Sequence, residues 1–209
     1  MSFERVRMVR TALTVAMLTL AVPALAQEPD AAHVPTKKDP IRFRAFAVNM
    51  QAGMSGVVDI VIERWTTDAE REMLLSKVAT ATEQPGGQDE LVSALQGIEA
   101  RTGFIKTSNS LGWDLKYARE NQLEDGGRQV VIATDKPISF FAAARNTRSL
   151  DYPFSLLDIR FPAGGGKGEG KLLANSAIST EGGRLHIGLY GQEATRLTNV
   201  EQKKSKKKK

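Results

Sequence analysis

The sequence contains no cysteine, which excludes disulfide bonds, thiolate nucleophiles and thiolate metal ligands. It has two histidines, His33 and His186. Because His33 lies in a proline-containing polar segment, a histidine metal cage or a Ser-His-Asp triad would depend on His186 alone. The G-x-S-x-G and H-E-x-x-H signatures of serine and zinc hydrolases are also missing. These absences predict no metal site and no cofactor, and they leave any catalytic residue unknown.

The first 26 residues have the organisation of a bacterial signal peptide. Arg5, Arg7 and Arg10 precede an apolar run over residues 12–22, and residues 24–26 (Ala-Leu-Ala) resemble a signal peptidase cleavage site. An uncleaved membrane anchor is disfavoured, because spanning a bilayer takes about 20 apolar residues. The sequence therefore predicts an exported protein, periplasmic or extracellular, with no transmembrane segment after processing.

The basic charge of the chain is concentrated at its two ends. The formal net charge is +5, with 29 Lys and Arg against 24 Asp and Glu. Without residues 1–26 and the six lysines within residues 203–209, Asp and Glu outnumber Lys and Arg by 23 to 20. This balance predicts no binding to nucleic acid. Residues 203–209 are expected to form a disordered lysine-rich tail, which either contacts an anionic surface weakly or is simply solvated.

The remainder predicts a short linker and one domain. Pro29, Pro35 and Pro40 occur among polar residues, which is typical of a disordered linker over residues 27–40. Residues 41–202 have a suitable length for a single domain with one core. In the absence of disulfides, apolar burial must stabilise this domain.

Alternation and capping signals predict the first half of the domain. Residues 42–50 and 56–64 are expected to form a hairpin, because apolar and acidic side chains alternate in the second segment. The alternating residues are Val58, Ile60 and Ile62 against Asp59 and Glu63. Thr67 and Glu70 have capping-box spacing, so a helix begins there. The apolar residues of this helix are Leu74, Leu75, Val78, Ala79 and Ala81, and Pro85-Gly86-Gly87 ends it. A second helix follows, with apolar residues Leu91, Leu95 and Ile98.

In the second half of the domain, apolar side chains again alternate with the two-residue period of strands. The predicted strands are residues 104–108, 113–118, 129–135, 154–161, 171–180 and 184–190, and the state of residues 138–144 is left open. In residues 113–118 we expect Trp113, Leu115 and Tyr117 to face inward and Asp114, Lys116 and Ala118 to face outward. A turn is expected at residues 124–127. The predicted fold is α+β and mainly antiparallel β, a sandwich or curled sheet with a two-helix insertion after the first hairpin. Whether the sheet is open or closes into a barrel stays undecided.

The segment from Gly165 to Lys171 matches the first part of a phosphate-binding P-loop. The next residue is Leu172 rather than the Ser or Thr that holds magnesium, and the following residues favour a strand where the motif needs a helix. We therefore interpret this segment as a hairpin connection.

Dispersed carboxylates are the remaining catalytic candidates. Paired Asp and Glu for sugar hydrolysis need only lie about 5 to 9 Å apart and leave no linear motif. The strand-borne candidates are Asp59, Glu63, Asp114 and Asp135. The alternative is that they form the solvent face of a sheet. Trp65 and Trp113 are candidates for stacking on sugars or lipids, or for buried anchors.

Five segments resemble those of an uncharacterised family of exported bacterial proteins with no assigned function. They are AFAVNM, VDIVIERWTTDAER, SLGWDLKYA, VVIATDKPISF and DYPFSLLDIRF, within residues 45–161. The resemblance implies a signal peptide and one compact domain, and it implies no site residue.

The preferred functional hypothesis is a non-enzymatic binding or interaction domain of the cell envelope. Its partner is an unknown protein, or an apolar or glycan ligand bound on the sheet. The alternative is an envelope hydrolase that uses the dispersed carboxylates, with or without His186. A filled sheet interior favours the first hypothesis, whereas two carboxylates facing each other in a cleft favour the second.

Overall fold

The computed structural model describes residues 33–50, 53–83, 87–108, 110–136, 138, 154–181, 184–189 and 194–203. Residues 33–209 form one compact unit. The described elements are β1 (Ile41–Asn49), β2 (Met54–Ile62), α1 (Asp68–Glu83), α2 (Gly87–Gln96), β3 (Gly103–Thr107), β4 (Trp113–Leu115), β5 (Tyr117–Gln122), β6 (Arg128–Thr134), β7 (Phe154–Phe161), β8 (Gly168–Glu181), β9 (Arg184–Leu189) and β10 (Thr195–Lys203). The predicted signal peptide and residues 139–144 and 204–209 lie outside the described residues.

The strands form one antiparallel sheet that is nearly closed and barrel-like. Its order is β4-β3-β2-β1-β10-β8-β7-β6-β5, and β9 pairs with β8 beside this path. Hairpins β1–β2, β5–β6, β7–β8 and β8–β9 join strands that follow one another in the chain. The predicted fold class is therefore confirmed, including the two helices inserted after the first hairpin.

The two ends of the sheet meet at a bend in the chain at Lys116. On one side of the bend β4 pairs with β3, and on the other side β5 pairs with β6. The Lys116 amide donates to the carbonyl oxygen of Ala133 (3.0 Å), and the Thr134 hydroxyl donates to the carbonyl oxygen of Asp114 (2.7 Å). These bonds tie β4 to β6. The consecutive strands β4 and β5 therefore act as one bent strand, which pairs with β3 on one side of the bend and with β6 on the other.

The bend corrects the predicted direction of two side chains. Strict alternation from Leu115 would place Tyr117 inside and Ala118 outside. Instead, Ala118 is fully buried in the sheet interior, and Tyr117 packs against the helices. The alternation shifts by one residue at Lys116, because this residue belongs to neither strand ladder.

Apolar side chains fill the interior of the sheet. The rings of Phe43 and Phe161 are in contact within it, with ring centroids 5.5 Å apart. Trp65 and Trp113 pack against the edge of this cluster. The buried members are Ile41, Phe43, Ala45, Ala47, Val58, Ile60, Ile62, Ile105, Leu115, Ala118, Val130, Ile132, Ile138, Leu157, Ile159, Phe161, Leu172, Leu197 and Val200.

Strand β10 is the element that the sequence analysis missed. It lies between β1 and β8 and thereby joins the first and second halves of the chain. Its buried residues Leu197 and Val200 are three apart, because a bulge with Asn199 at φ 51° inserts an extra residue. A bulge breaks the period of two on which strand prediction depends.

The helices pack on the outer face of the sheet. On α1 and α2 the buried residues are Leu74, Leu91 and Leu95, followed by Ile98, and they contact Phe154 of β7. The predicted capping box is present: the Thr67 amide donates to Glu70 Oε2 (2.9 Å), and the Glu70 amide donates to Thr67 Oγ1 (3.2 Å). Leu75, predicted beside the apolar stripe, is 49% exposed.

We predict that Ala118→Glu lowers the free energy of unfolding by about 3 kcal/mol or more, because it places an unpaired charge in the filled interior. Urea unfolding followed by circular dichroism measures this change. Asn121→Glu adds the same charge on the exposed side of β5 and should change the free energy by less than about 0.5 kcal/mol. Equal effects of both substitutions would show that Ala118 does not face inward.

We expect Thr67→Ala to lower the free energy of unfolding by about 1 kcal/mol, because it removes the side-chain acceptor for the Glu70 amide. Chemical unfolding of the two proteins gives the difference. Ser108→Ala, in an exposed turn, is the control and should leave stability unchanged within error. A loss no larger than that of the control contradicts a stabilising cap.

Candidate functional site

The glycine-rich segment does not form a phosphate-binding loop. Residues 168–171 lie in β8, and the segment joins β7 to β8, which confirms its interpretation as a hairpin connection. A Cβ atom on Gly168 would lie 2.7 Å from the carbonyl oxygen of Arg160, and one on Gly170 would lie 2.6 Å from that of Asp158. Glycine is therefore required here for the close approach of two strands.

The histidines do not converge on a site in the described part of the chain. His33 Nε2 lies 3.1 Å from the carbonyl oxygen of Asp39, at the exposed start of the domain. His186 lies in β9 opposite Ser179 of β8, and its side chain is not among those that the structure describes. Among the described residues, no three His, Asp or Glu side chains are grouped to hold a metal ion.

Two of the four candidate carboxylates are brought together by one arginine. Arg101 donates to Glu63 through Nε (3.0 Å) and Nη2 (3.2 Å), and to Asp114 through Nη1 (2.8 Å). These hydrogen bonds, first those to Glu63 and then the one to Asp114, raise the pKa of Arg101. The guanidinium occupies the space between the acids, so this arrangement joins β2 to β4 rather than forming a cleft for substrate.

The other two carboxylates have partners of their own. Asp59 accepts from Arg44 Nε (2.8 Å) on the outer surface of β1 and β2. Asp135 follows β6, with Oδ1 3.4 Å from the Thr134 hydroxyl oxygen. Among the described residues, Glu63 and Asp114 are the two candidates that share a charged partner, and that partner is Arg101.

The two tryptophans contribute to packing. Trp65 and Trp113 are partly buried against the interior cluster of the sheet. This placement favours the interpretation of both rings as anchors over that of an exposed stacking surface.

A separate cavity lies between the helices and the outer face of β5, β6 and β7. Its volume is about 130 Å³, and it is partly open to solvent. It is lined by Arg71, Leu74, Leu75, Val78, Leu91, Leu95, Tyr117, Val131, Ala133, Phe154 and Leu156. We call this space the helix–sheet cavity.

The lining of the helix–sheet cavity is almost entirely hydrocarbon. Arg71 is its one charged residue, and Tyr117 is its one other residue with a polar side-chain atom. An apolar cavity of about 150 Å³ in another protein stays dry and binds benzene. The chemistry of this cavity therefore suits an apolar group of similar size.

An ion pair at the base of α1 positions the helical wall of this cavity. Arg64 donates to Glu70 through Nη1 (2.8 Å) and Nη2 (2.9 Å), and it also donates to the carbonyl oxygen of Ala100 beyond α2. The hydrogen bonds from Arg64 hold the pKa of Glu70 below its ordinary value. One arginine thus ties the segment before α1 to the segment after α2.

Sequence reasoning missed this cavity, although part of its signal is visible. Val130 and Ile132 face the sheet interior, while Val131 and Ala133 face the helices. A strand that is apolar on both faces reads as a continuous apolar run, as VVIA does here. The run shows that a second layer covers β6, but the shape of the gap depends on how the helices dock.

Among the described residues, no helix is long and apolar enough to span a membrane.

The pairing of Glu70 with Arg64 predicts a pH-dependent contribution to stability. Because the folded pKa of Glu70 lies below its unfolded value, the contribution is present at neutral pH and is lost as the pH falls through the folded pKa. Glu70→Gln should therefore destabilise the protein more at pH 7 than at pH 3. Urea unfolding at both values measures the difference, with exposed Glu72→Gln as control. A pH-independent effect of Glu70→Gln would contradict this assignment.

The comparisons with known proteins suggest no function for this chain, so a functional proposal has to rest on the geometry. The chain has no significant match to any protein-family model, curated protein or solved structure. The resemblance to exported bacterial proteins therefore stays a prediction, and the helix–sheet cavity is the feature on which a functional proposal can be built.

Proposed function

We propose that this chain is a non-enzymatic binding domain of the cell envelope, and that it takes a small apolar ligand in the helix–sheet cavity. The single observation that carries the proposal is an apolar cavity between the helices and the sheet, lined by eight leucine, valine and phenylalanine side chains. Ligand sites are typically such concave, mostly apolar spaces. Export to the envelope is the part of the proposal that depends on the signal-peptide pattern of residues 1–26.

The volume of the cavity predicts weak binding of a small ligand. An empty apolar cavity costs a protein about 24 cal/mol per Å³, which gives about 3 kcal/mol for 130 Å³. A ligand that fills this space regains at most a similar free energy from packing. Since about 4 kcal/mol corresponds to a dissociation constant near 1 mM, the apolar group alone should bind in the millimolar range.

The sheet interior is a poorer candidate for the ligand site. It is occupied by aromatic and branched aliphatic side chains, including Phe43, Phe161 and Ile132, all of them buried. A ligand would have to displace these side chains, each of which contributes about 1.5 to 3 kcal/mol by its burial. The space outside the sheet needs no such displacement.

The hydrolase alternative draws no support from the described residues. Glu63 and Asp114 are both bound to Arg101, and Asp59 is bound to Arg44. A glycosidase needs its two carboxylates on either side of a substrate bond, one of them as a proton donor. Binding without chemistry is therefore the function we favour.

Binding of 1-hexanol tests this proposal. We predict that millimolar 1-hexanol shifts the methyl NMR signals of Leu74, Leu91 and Leu95, which line the cavity. Ala133→Leu fills the cavity from the sheet side and should abolish these shifts. Ala163→Leu adds the same atoms at an exposed loop position and should leave them unchanged.

Two outcomes would count against the cavity. Unchanged methyl signals at saturating 1-hexanol contradict the proposal, and so does equal binding by wild type and a folded Ala133→Leu protein. If Ala133→Leu does not fold, Val78→Phe fills the same space from α1 and gives the same decision.

A further inference from the structure

We infer that the ligand of the helix–sheet cavity carries an anionic, oxygen-bearing head group, and that Arg71 binds this head. The inference rests on the proposed binding function and adds the chemical class of the ligand, a short amphiphile with an apolar tail and a carboxylate or phosphate head.

Arg71 differs in its surroundings from the other arginines whose side chains the structure describes. It is partly buried and lines the cavity, yet it has no side-chain hydrogen bond or ion pair with any described residue. Arg42 and Arg196 also lack an ion pair with a described residue, but both are exposed. The arginines that hold a carboxylate are Arg44, Arg64, Arg101, Arg119, Arg128 and Arg160.

The nearest acids on α1 are already engaged. Asp68 accepts from Arg119 Nη1 (2.8 Å), and Glu70 accepts from Arg64. Glu72 is exposed at the adjacent position. The positive end of the α1 dipole lies in the same turn as Arg71, which further favours an anion there. The first turn of α1 therefore leaves one cation at the cavity without a counter-ion among the described residues.

The chemistry of guanidinium selects the head group. A partly buried arginine presents a planar fork of donors that matches the two oxygens of a carboxylate or phosphate. Because the rest of the lining is hydrocarbon apart from the Tyr117 hydroxyl, an anion bound at Arg71 would direct its apolar tail towards Leu74, Val78 and Leu91. A neutral apolar ligand would fill the cavity but leave the guanidinium without a partner.

Titration of the full chain with four six-carbon probes tests this inference. They are hexanoate, hexyl phosphate, 1-hexanol and hexylammonium, each followed by calorimetry and by methyl NMR. We expect at least one of the anions to bind about tenfold more tightly than 1-hexanol, and hexylammonium to bind more weakly. The tighter of the two anions identifies the head as carboxylate or phosphate.

Substitutions separate a charge role for Arg71 from a structural one. Arg71→Gln should remove the preference for the anion and leave the affinity for 1-hexanol within about twofold, while Arg71→Glu should favour hexylammonium. Lys77→Gln removes one positive charge from the same helix outside the cavity and serves as the matched control. An equal loss of all probes in Arg71→Gln would mean that Arg71 shapes the wall, and would overturn the inference.

The two proposals fail in different ways. If no probe binds in the cavity, the proposed binding function is wrong and the head-group inference is wrong with it. If 1-hexanol and both anions bind wild type with equal affinity, the cavity is a binding site but Arg71 does not recognise a head group.

Discussion

The pairing of one bent strand with both edges of the sheet is the constraint on which the rest of this structure depends. Around Lys116 the backbone turns from the ladder with β3 to the ladder with β6. Thr66 completes the bend, since its amide donates to the Ala118 carbonyl oxygen and its hydroxyl accepts from the Ala118 amide, both at 2.9 Å. Closure leaves few free edges and encloses an interior that aliphatic and aromatic side chains fill.

A filled interior determines where a second apolar layer can form. The helices have no place inside the sheet, so they cover the outer face of β5, β6 and β7, where Val131, Leu156 and Phe154 provide an apolar surface. The capping box at Thr67 and the Arg64–Glu70 pair fix the start of α1. This second layer contains the helix–sheet cavity.

The described ion pairs lie mostly on the surface of the protein, whereas Arg71 lines the cavity without such a partner among the described residues. Arg101 neutralises two acids at once, and Arg44 holds a third. Exposed pairs of this kind contribute little stability, about 0 to 1 kcal/mol each. Arg71 is different because its surroundings are apolar and partly closed, so an anion there would bind more strongly than in water.

Local patterns in the sequence determined much of this protein: the β1–β2 hairpin, the capped helix α1, the turn before β6 and the glycine-rich connection. Each depends on neighbours within a few residues, where side-chain period and turn chemistry act directly. Only the tertiary structure decided the inward direction of Ala118, the central position of β10, the junction of Glu63 and Asp114 at Arg101, and the helix–sheet cavity. The bend at Lys116 and the bulge at Asn199 shift the period of two, and the cavity is the space left between elements distant in sequence. Such features follow from long-range pairing and docking, which no local pattern contains.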